Sequence, residues 1–217
     1  MRISVITSCT DTKAVRLPNQ LTLEDFMQGR EHVAMRENEI VGQSLPAEYM
    51  YRGEQHVRLM RGVHAARQSG VEVRLWIVSA GYGLLSADTP IKPYNATFGD
   101  LSAEDARQWA VQLNLAQQVQ EALAEPADCA LILLGNAYLN VCGLDKVKEA
   151  PKATWALCGT GAVKRFSNAI RPIPLTKQDT RRFRAGLVGL KGEVAAQILE
   201  EPHGRFDAAV ERISQRI

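Results

Sequence analysis

Four short apolar runs constrain what this chain can fold into. They are Arg2 to Ser8, Val73 to Val78, Cys129 to Leu134 and Thr154 to Leu157. Each has strand length, is dominated by aliphatic, β-branched or aromatic residues, and stops abruptly in small and polar residues. The stops are Ser8 to Lys13, Ser79 to Gly83, Gly135 to Tyr138 and Cys158 to Gly161. Between the runs, apolar residues recur at three- and four-residue steps. Pro46 to Gln68 reads as one helix, closed by Ser69-Gly70, and Ser102 with Asp105 opens another that continues to about Ala124, where Glu125-Pro126 breaks it. Thr22, with Asp25 at the capping-box position, starts a further helix. Strands alternating with helices predict a three-layer α/β fold, a mainly parallel sheet of four or five strands flanked by helices. Arg171 to Leu175 suits an edge strand, because its two prolines cannot donate to a ladder on both sides. Residues 1–175 are expected to form this α/β domain. Residues 176–217 are expected to form a helical, basic extension packed on it, with Leu187, Leu190, Val194, Ile198 and Leu199 on one helical face.

In a parallel sheet the four stops lie along one edge and build one cleft. Glycines there allow close backbone approach, and free N–H groups can hold a phosphate or a base edge. The candidate substrate-binding residues are therefore Ser8, Cys9, Thr10, Lys13, Ser79, Tyr82, Gly83, Tyr94, Gly135, Tyr138, Gly159 and Thr160. The densest stretch is Glu72 to Asp100, where a strand runs into two glycines and a pair of prolines, Pro90 and Pro93, that stiffen an ordered loop. For each tyrosine the competing reading is core packing, and for His56 and His64 it is an ordinary helical histidine.

Several functions are excluded or disfavoured. Cys9, Cys129, Cys142 and Cys158 are scattered, without a CxxC or a nearby histidine pair, which argues against structural zinc and against a disulfide framework. No metal site is expected. Gly159-Thr160-Gly161 is too short for a dinucleotide fingerprint, and there is no P-loop, HExxH or GxSxG, so no cofactor is expected. No run is long enough to span a bilayer and the N-terminus is too short for a signal peptide, so the expected location is the cytoplasm, with no membrane partner. The net charge of +2 conceals a basic third. From Lys152 to Lys191 nine basic residues stand against one acid, Asp179. Lys164, Arg165, Arg181, Arg182, Arg184 and Lys191 are the candidate contacts to a nucleic-acid backbone, a solvated basic face being the alternative.

The segment Ser79-Ala80-Gly81-Tyr82-Gly83-Leu84-Leu85, followed by Asp88, Ile91 and Pro93-Tyr94-Asn95, resembles the signature of the peroxide-stress protein YaaA, and a related pattern occurs in a domain of archaeosine synthase. Those relatives usually carry Asp where this chain has Asn95. The order of elements is similar to the uracil-DNA glycosylase fold: Leu133-Leu134-Gly135-Asn136-Ala137 corresponds to its third strand, and Asp11 falls where the water-activating acid stands. Leu187-Val188-Gly189-Leu190-Lys191-Gly192 is similar to the hairpin of helix-hairpin-helix DNA-binding motifs, with one residue more between its glycines. These resemblances imply an enzyme acting on DNA or a nucleotide-containing substrate, a glycosylase excising a modified base, with Asp11, Asn95 and Asn136 as catalytic candidates. The alternative they imply is a DNA-binding stress protein without catalysis.

Overall fold

The computed structural model describes residues 1–42, 44–202 and 205–215. Six strands form the central sheet: β1 (Arg2–Ser8), β2 (Glu72–Ser79), β3 (Gly83–Ser86), β4 (Cys129–Leu133), β5 (Ala153–Gly159) and β6 (Arg171–Leu175). Their order is β6-β5-β4-β1-β2-β3. Every neighbouring pair is parallel except β2 and β3, which form an antiparallel hairpin with Ser79 opposite Gly83. The sheet thus has one strand more than the four or five expected. The extra strand, β3, lies inside the stretch read as loop; Gly83, at φ 77°, turns the chain back onto β2. That left-handed angle is costly for any residue with a Cβ. The proline-bearing β6 takes the edge, as expected.

The helices are α1 (Leu23–Met27), α2 (Arg30–Glu39), α3 (Ala47–Met50), α4 (Glu54–Gln68), α5 (Ala103–Gln112), α6 (Leu115–Ala124), α7 (Asn136–Leu139), α8 (Lys177–Arg182), α9 (Leu190–Leu199) and α10 (Phe206–Ser214). Thr22 and Asp25 make the reciprocal capping box at α1. Two stretches read as single helices are pairs. The chain leaves helical geometry at Tyr51 to Gly53, between α3 and α4, and at Asn114, whose φ of 54° separates α5 from α6.

All residues of β4 are buried, and so are Ile3 to Ser8 of β1, because helices cover both sheet faces. Such strands read as continuous apolar runs instead of alternating ones. Helices α4 and α9 pack unusually close. A Cβ on Gly62 would lie 2.5 Å from the Cα of Ala196, and one on Gly192 would lie 2.1 Å from the Gln55 carbonyl oxygen. A Cβ on Gly189 would lie 2.5 Å from a Glu54 carboxylate oxygen. The glycines of the hairpin-like segment are therefore explained by packing on α4. Glu193 adds a polar tie, taking Arg58 at 2.7 Å and Arg61 at 2.9 Å. Val194, Ile198 and Leu199 of α9 are buried in the same core as the sheet, each contributing about 2 kcal/mol by leaving water. Leu187, expected on that helical face, instead precedes α9 in an exposed turn.

Candidate active site

The parallel registers align Ser8 with Val78, Thr7 with Leu133 and Ile132 with Ala156, so β1, β2, β4 and β5 all end on one edge. From β1 the chain moves to β2 on one side, then crosses back to β4 on the other. Strand order therefore reverses between β1 and β4, and the loops leaving these strands part to leave a crevice. Cys9, just after β1, and Tyr138, on α7 after β4, meet there with Sγ 3.0 Å from the phenol oxygen.

Beside them runs a buried chain of hydroxyls. Ser79 Oγ accepts the backbone N–H groups of Gly81 and Tyr82, at 3.2 and 3.1 Å, which is what the small residues at the end of β2 permit. The Tyr94 hydroxyl lies 2.8 Å from Ser79 Oγ and 2.8 Å from the Tyr51 hydroxyl. Burial pushes the phenols of Tyr51, Tyr94 and Tyr138 well up, so all three are neutral donors at physiological pH. Phe26, Tyr82 and Tyr94 pack edge to face around the chain.

Lys13 stands over this group. Its ammonium is 4.4 Å from the centre of the Tyr94 ring and donates to the Thr10 carbonyl at 3.2 Å. It is buried, and none of the described carboxylates forms an ion pair with it. Burial lowers its pKa, opposed by nearby Cys9 and Asp11. A buried ammonium without a counter-ion is costly unless an anion arrives.

The three catalytic candidates are all on the surface of this edge. Asp11 is exposed and 3.2 Å from Arg16. Asn95 is exposed beside buried Tyr94, and Asn136 opens α7 with its side chain in solvent. Open space surrounds Gly135, Gly159 and Gly161, where an added Cβ would meet nothing within 4 Å. Thr160 is exposed between the latter two. Other expected binding residues are internally engaged. The Thr10 hydroxyl accepts the Gly53 N–H that starts α4 and donates to the Thr12 carbonyl. The Tyr82 hydroxyl donates to Glu37 at 2.7 Å, Ser8 is buried, and Gly83 serves the hairpin turn against Gln118.

The structure sorts the basic third by edge. Lys177, Arg181, Arg182 and Arg184 follow β6 and are exposed on the carboxyl edge, while Lys164 and Arg165, also exposed, lie on the segment that returns from the end of β5 to the start of β6, between Val163 and Phe166 of a cavity wall. Lys152 and Arg171 sit at the strands' amino ends, on the opposite edge. Arg182 is 3.5 Å from Asp179, and Arg165 donates to Asn140. Lys191 departs from the exposed role expected of it. Its amine turns inward onto the Leu134 carbonyl at the end of β4, and burial lowers its pKa.

Sequence reasoning missed Tyr51, Phe26 and Thr97, whose hydroxyl is 3.4 Å from that of Tyr138. It also missed Gln55, which donates to both Thr7 and the Leu133 carbonyl. Tyr51 lies in the break between α3 and α4, and Gly53 inside the helical pattern was the available signal. A cavity of about 670 Å³ lies away from this edge, lined by Lys152, Trp155, Arg171 and Asp207. Its lining shares none of the groups that converge at the strand ends.

Among the described residues no helix is long and apolar enough to cross a membrane, and no group of three or more His, Cys, Asp or Glu side chains could hold a metal ion. None of the curated proteins matches this chain. A match to a protein family covers residues 39–167, taking in β2 through β5 with the Ser79–Tyr94 hydroxyls and the glycine loops, but not the β1 loop or Arg181 to Arg184. On that match, which spans more than half of its length, the chain belongs to the family of unknown function DUF6884.

Proposed function

We propose that this protein is a nucleic-acid-acting enzyme, a DNA glycosylase that removes a modified base. The observation that carries this reading is the coincidence on one edge of the exposed cations and the four polar strand ends. Lys164, Arg181 and Arg184 have no carboxylate partner among the described residues, so they are available to phosphates. The open backbone at Gly135 and at Gly159 to Gly161 then admits the strand closely.

Glycosidic cleavage passes through an oxocarbenium-like transition state, which one carboxylate near the sugar stabilises. In this reading Asp11, released from Arg16 when a phosphate engages that guanidinium, activates water and faces the developing positive charge. Asn95 and Asn136 supply amide contacts, and Lys13 and Lys191 lend positive potential that attracts the phosphodiester. The extruded base is read in a pocket. A cytoplasmic role in restricting phage with modified DNA accords with this chemistry.

The second reading, a DNA-binding stress protein of the YaaA type without catalysis, is favoured by the Asp11–Arg16 ion pair, which occupies the proposed catalytic carboxylate. Incubation with DNA carrying modified cytosines or deazapurines, scored for abasic sites, tests the proposal. Abasic sites lost in Asp11→Asn with DNA affinity retained support it; binding without cleavage selects the second reading. Neither cleavage nor binding on any modified substrate overturns both.

A further inference from the structure

A cavity of about 510 Å³, with Tyr82 in its wall, opens between α1, α2, α5 and α6. That volume lies in the range of small-molecule sites, about 300–1,000 Å³. Its aromatic walls are Phe26, Tyr82 and Trp109. Their polar atoms are already satisfied, since Trp109 donates to the Ala80 carbonyl at 2.6 Å and Tyr82 to Glu37 at 2.7 Å. The rings are thus held in place and offer only apolar surface. Gly81 keeps this arrangement possible, because a Cβ there would lie 2.4 Å from the Phe26 ring.

Two charged groups lining the cavity complete its chemistry. Glu37 uses one oxygen for Tyr82, and no cation pairs with it among the described residues. Arg30 also lines the cavity, with no carboxylate partner among the described residues. A half-buried carboxylate with an unused oxygen selects a ligand that donates hydrogen bonds, while a free guanidinium selects an anion. The aromatic walls select a flat ring.

We infer that this cavity binds a nucleobase carrying an exocyclic amine, with the amine on Glu37, the ring against Tyr82 and Trp109, and the attached phosphate on Arg30. The inference rests on the glycosylase reading only in that it says where an extruded base would lodge. Tyr82 is the shared wall, its ring centre 5.3 Å from that of Tyr94, so the pocket adjoins the hydroxyl chain at the end of β2.

The probes are dCMP and dUMP, which differ in an amine against a carbonyl, titrated calorimetrically into the protein. dCMP is expected to bind about tenfold more tightly than dUMP, the discrimination of one good carboxylate–amine contact. Glu37→Gln, which can still accept from Tyr82, should reduce that preference below about twofold. Ala34→Trp, from an exposed position of α2 on the cavity wall, should abolish binding of both nucleotides while thermal unfolding stays cooperative. Equal affinity for the two probes, no binding of either, or a preference unchanged in Glu37→Gln overturns the inference. The base-release assay separates the two ideas. Amine-selective binding without any base release keeps the pocket and discards the glycosylase. Base release unaffected by Ala34→Trp keeps the glycosylase and overturns the lodging of the extruded base in this pocket.

Discussion

Tyr94→Phe removes one oxygen atom from the centre of the buried hydroxyl chain and leaves the ring under Lys13 unchanged. In the native protein that oxygen is 2.8 Å from both Ser79 Oγ and the Tyr51 hydroxyl. Ser79 retains the Gly81 and Tyr82 N–H donors, so its loss is small. Tyr51 is fully enclosed and loses its bond to Tyr94. Leaving a buried hydroxyl without its partner costs about 1–3 kcal/mol. The expected destabilisation is therefore about 2 kcal/mol, or a Tm lowered by roughly 6 °C for a chain of this size. Urea unfolding of the wild type, Tyr51→Phe, Tyr94→Phe and the double variant measures it. The double variant should cost about 1 kcal/mol less than the sum, because the second substitution removes the orphan made by the first. A Tyr94→Phe protein within about 0.5 kcal/mol of the wild type, with additive effects, would show that the hydroxyls do not act as one chain.

Lys13→Met should stabilise the fold by about 1 kcal/mol, since it replaces a buried ammonium without a counter-ion by an apolar chain of similar length, and should weaken DNA binding. Because burial lowers the Lys13 pKa, the unfolded chain holds that proton more tightly; wild-type stability should rise with pH between the folded and unfolded lysine values, a rise absent from Lys13→Met in denaturation at alkaline pH. Arg184 has a φ of 50° at the end of α8, so Arg184→Gly should raise stability by about 0.5–1 kcal/mol while lowering DNA affinity, as read by thermal shift and fluorescence anisotropy. Arg181→Ala/Arg182→Ala should weaken binding almost equally for all sequences and reduce the salt slope by roughly 1 per lost contact, leaving base preference intact. Parental binding at several salt concentrations would reduce this basic segment to a solvated face.

The sheet was legible because strands covered on both faces are written as continuous apolar runs, and the four polar stops then placed the edge. β3 was not legible. Its four residues, Gly83 to Ser86, are too few to show a period, and its pairing with β2 depends on the left-handed turn at Gly83. The break at Tyr51 to Gly53 was hidden because three- and four-residue spacing continues across it, from Tyr49 through Arg52 and Gly53 to His56. At the site, Tyr94 and Lys13 could be named from their positions in the loops. Their mutual stacking joins residues 81 positions apart through tertiary packing, and no local pattern encodes it. Lys191 shows the opposite limit. Counted with the basic third it reads like Arg181 to Arg184, and only the approach of α9 to the end of β4 turns it inward.

Glycosylase action is read out by release of the intact modified base, followed by mass spectrometry after incubation of the protein with modified DNA. The wild type should yield free base, Asp11→Asn none, and each base released should leave one abasic site in the strand. A wild-type protein that binds the same DNA and releases nothing, or an Asp11→Asn variant that releases base as fast as the parent, would contradict this expectation.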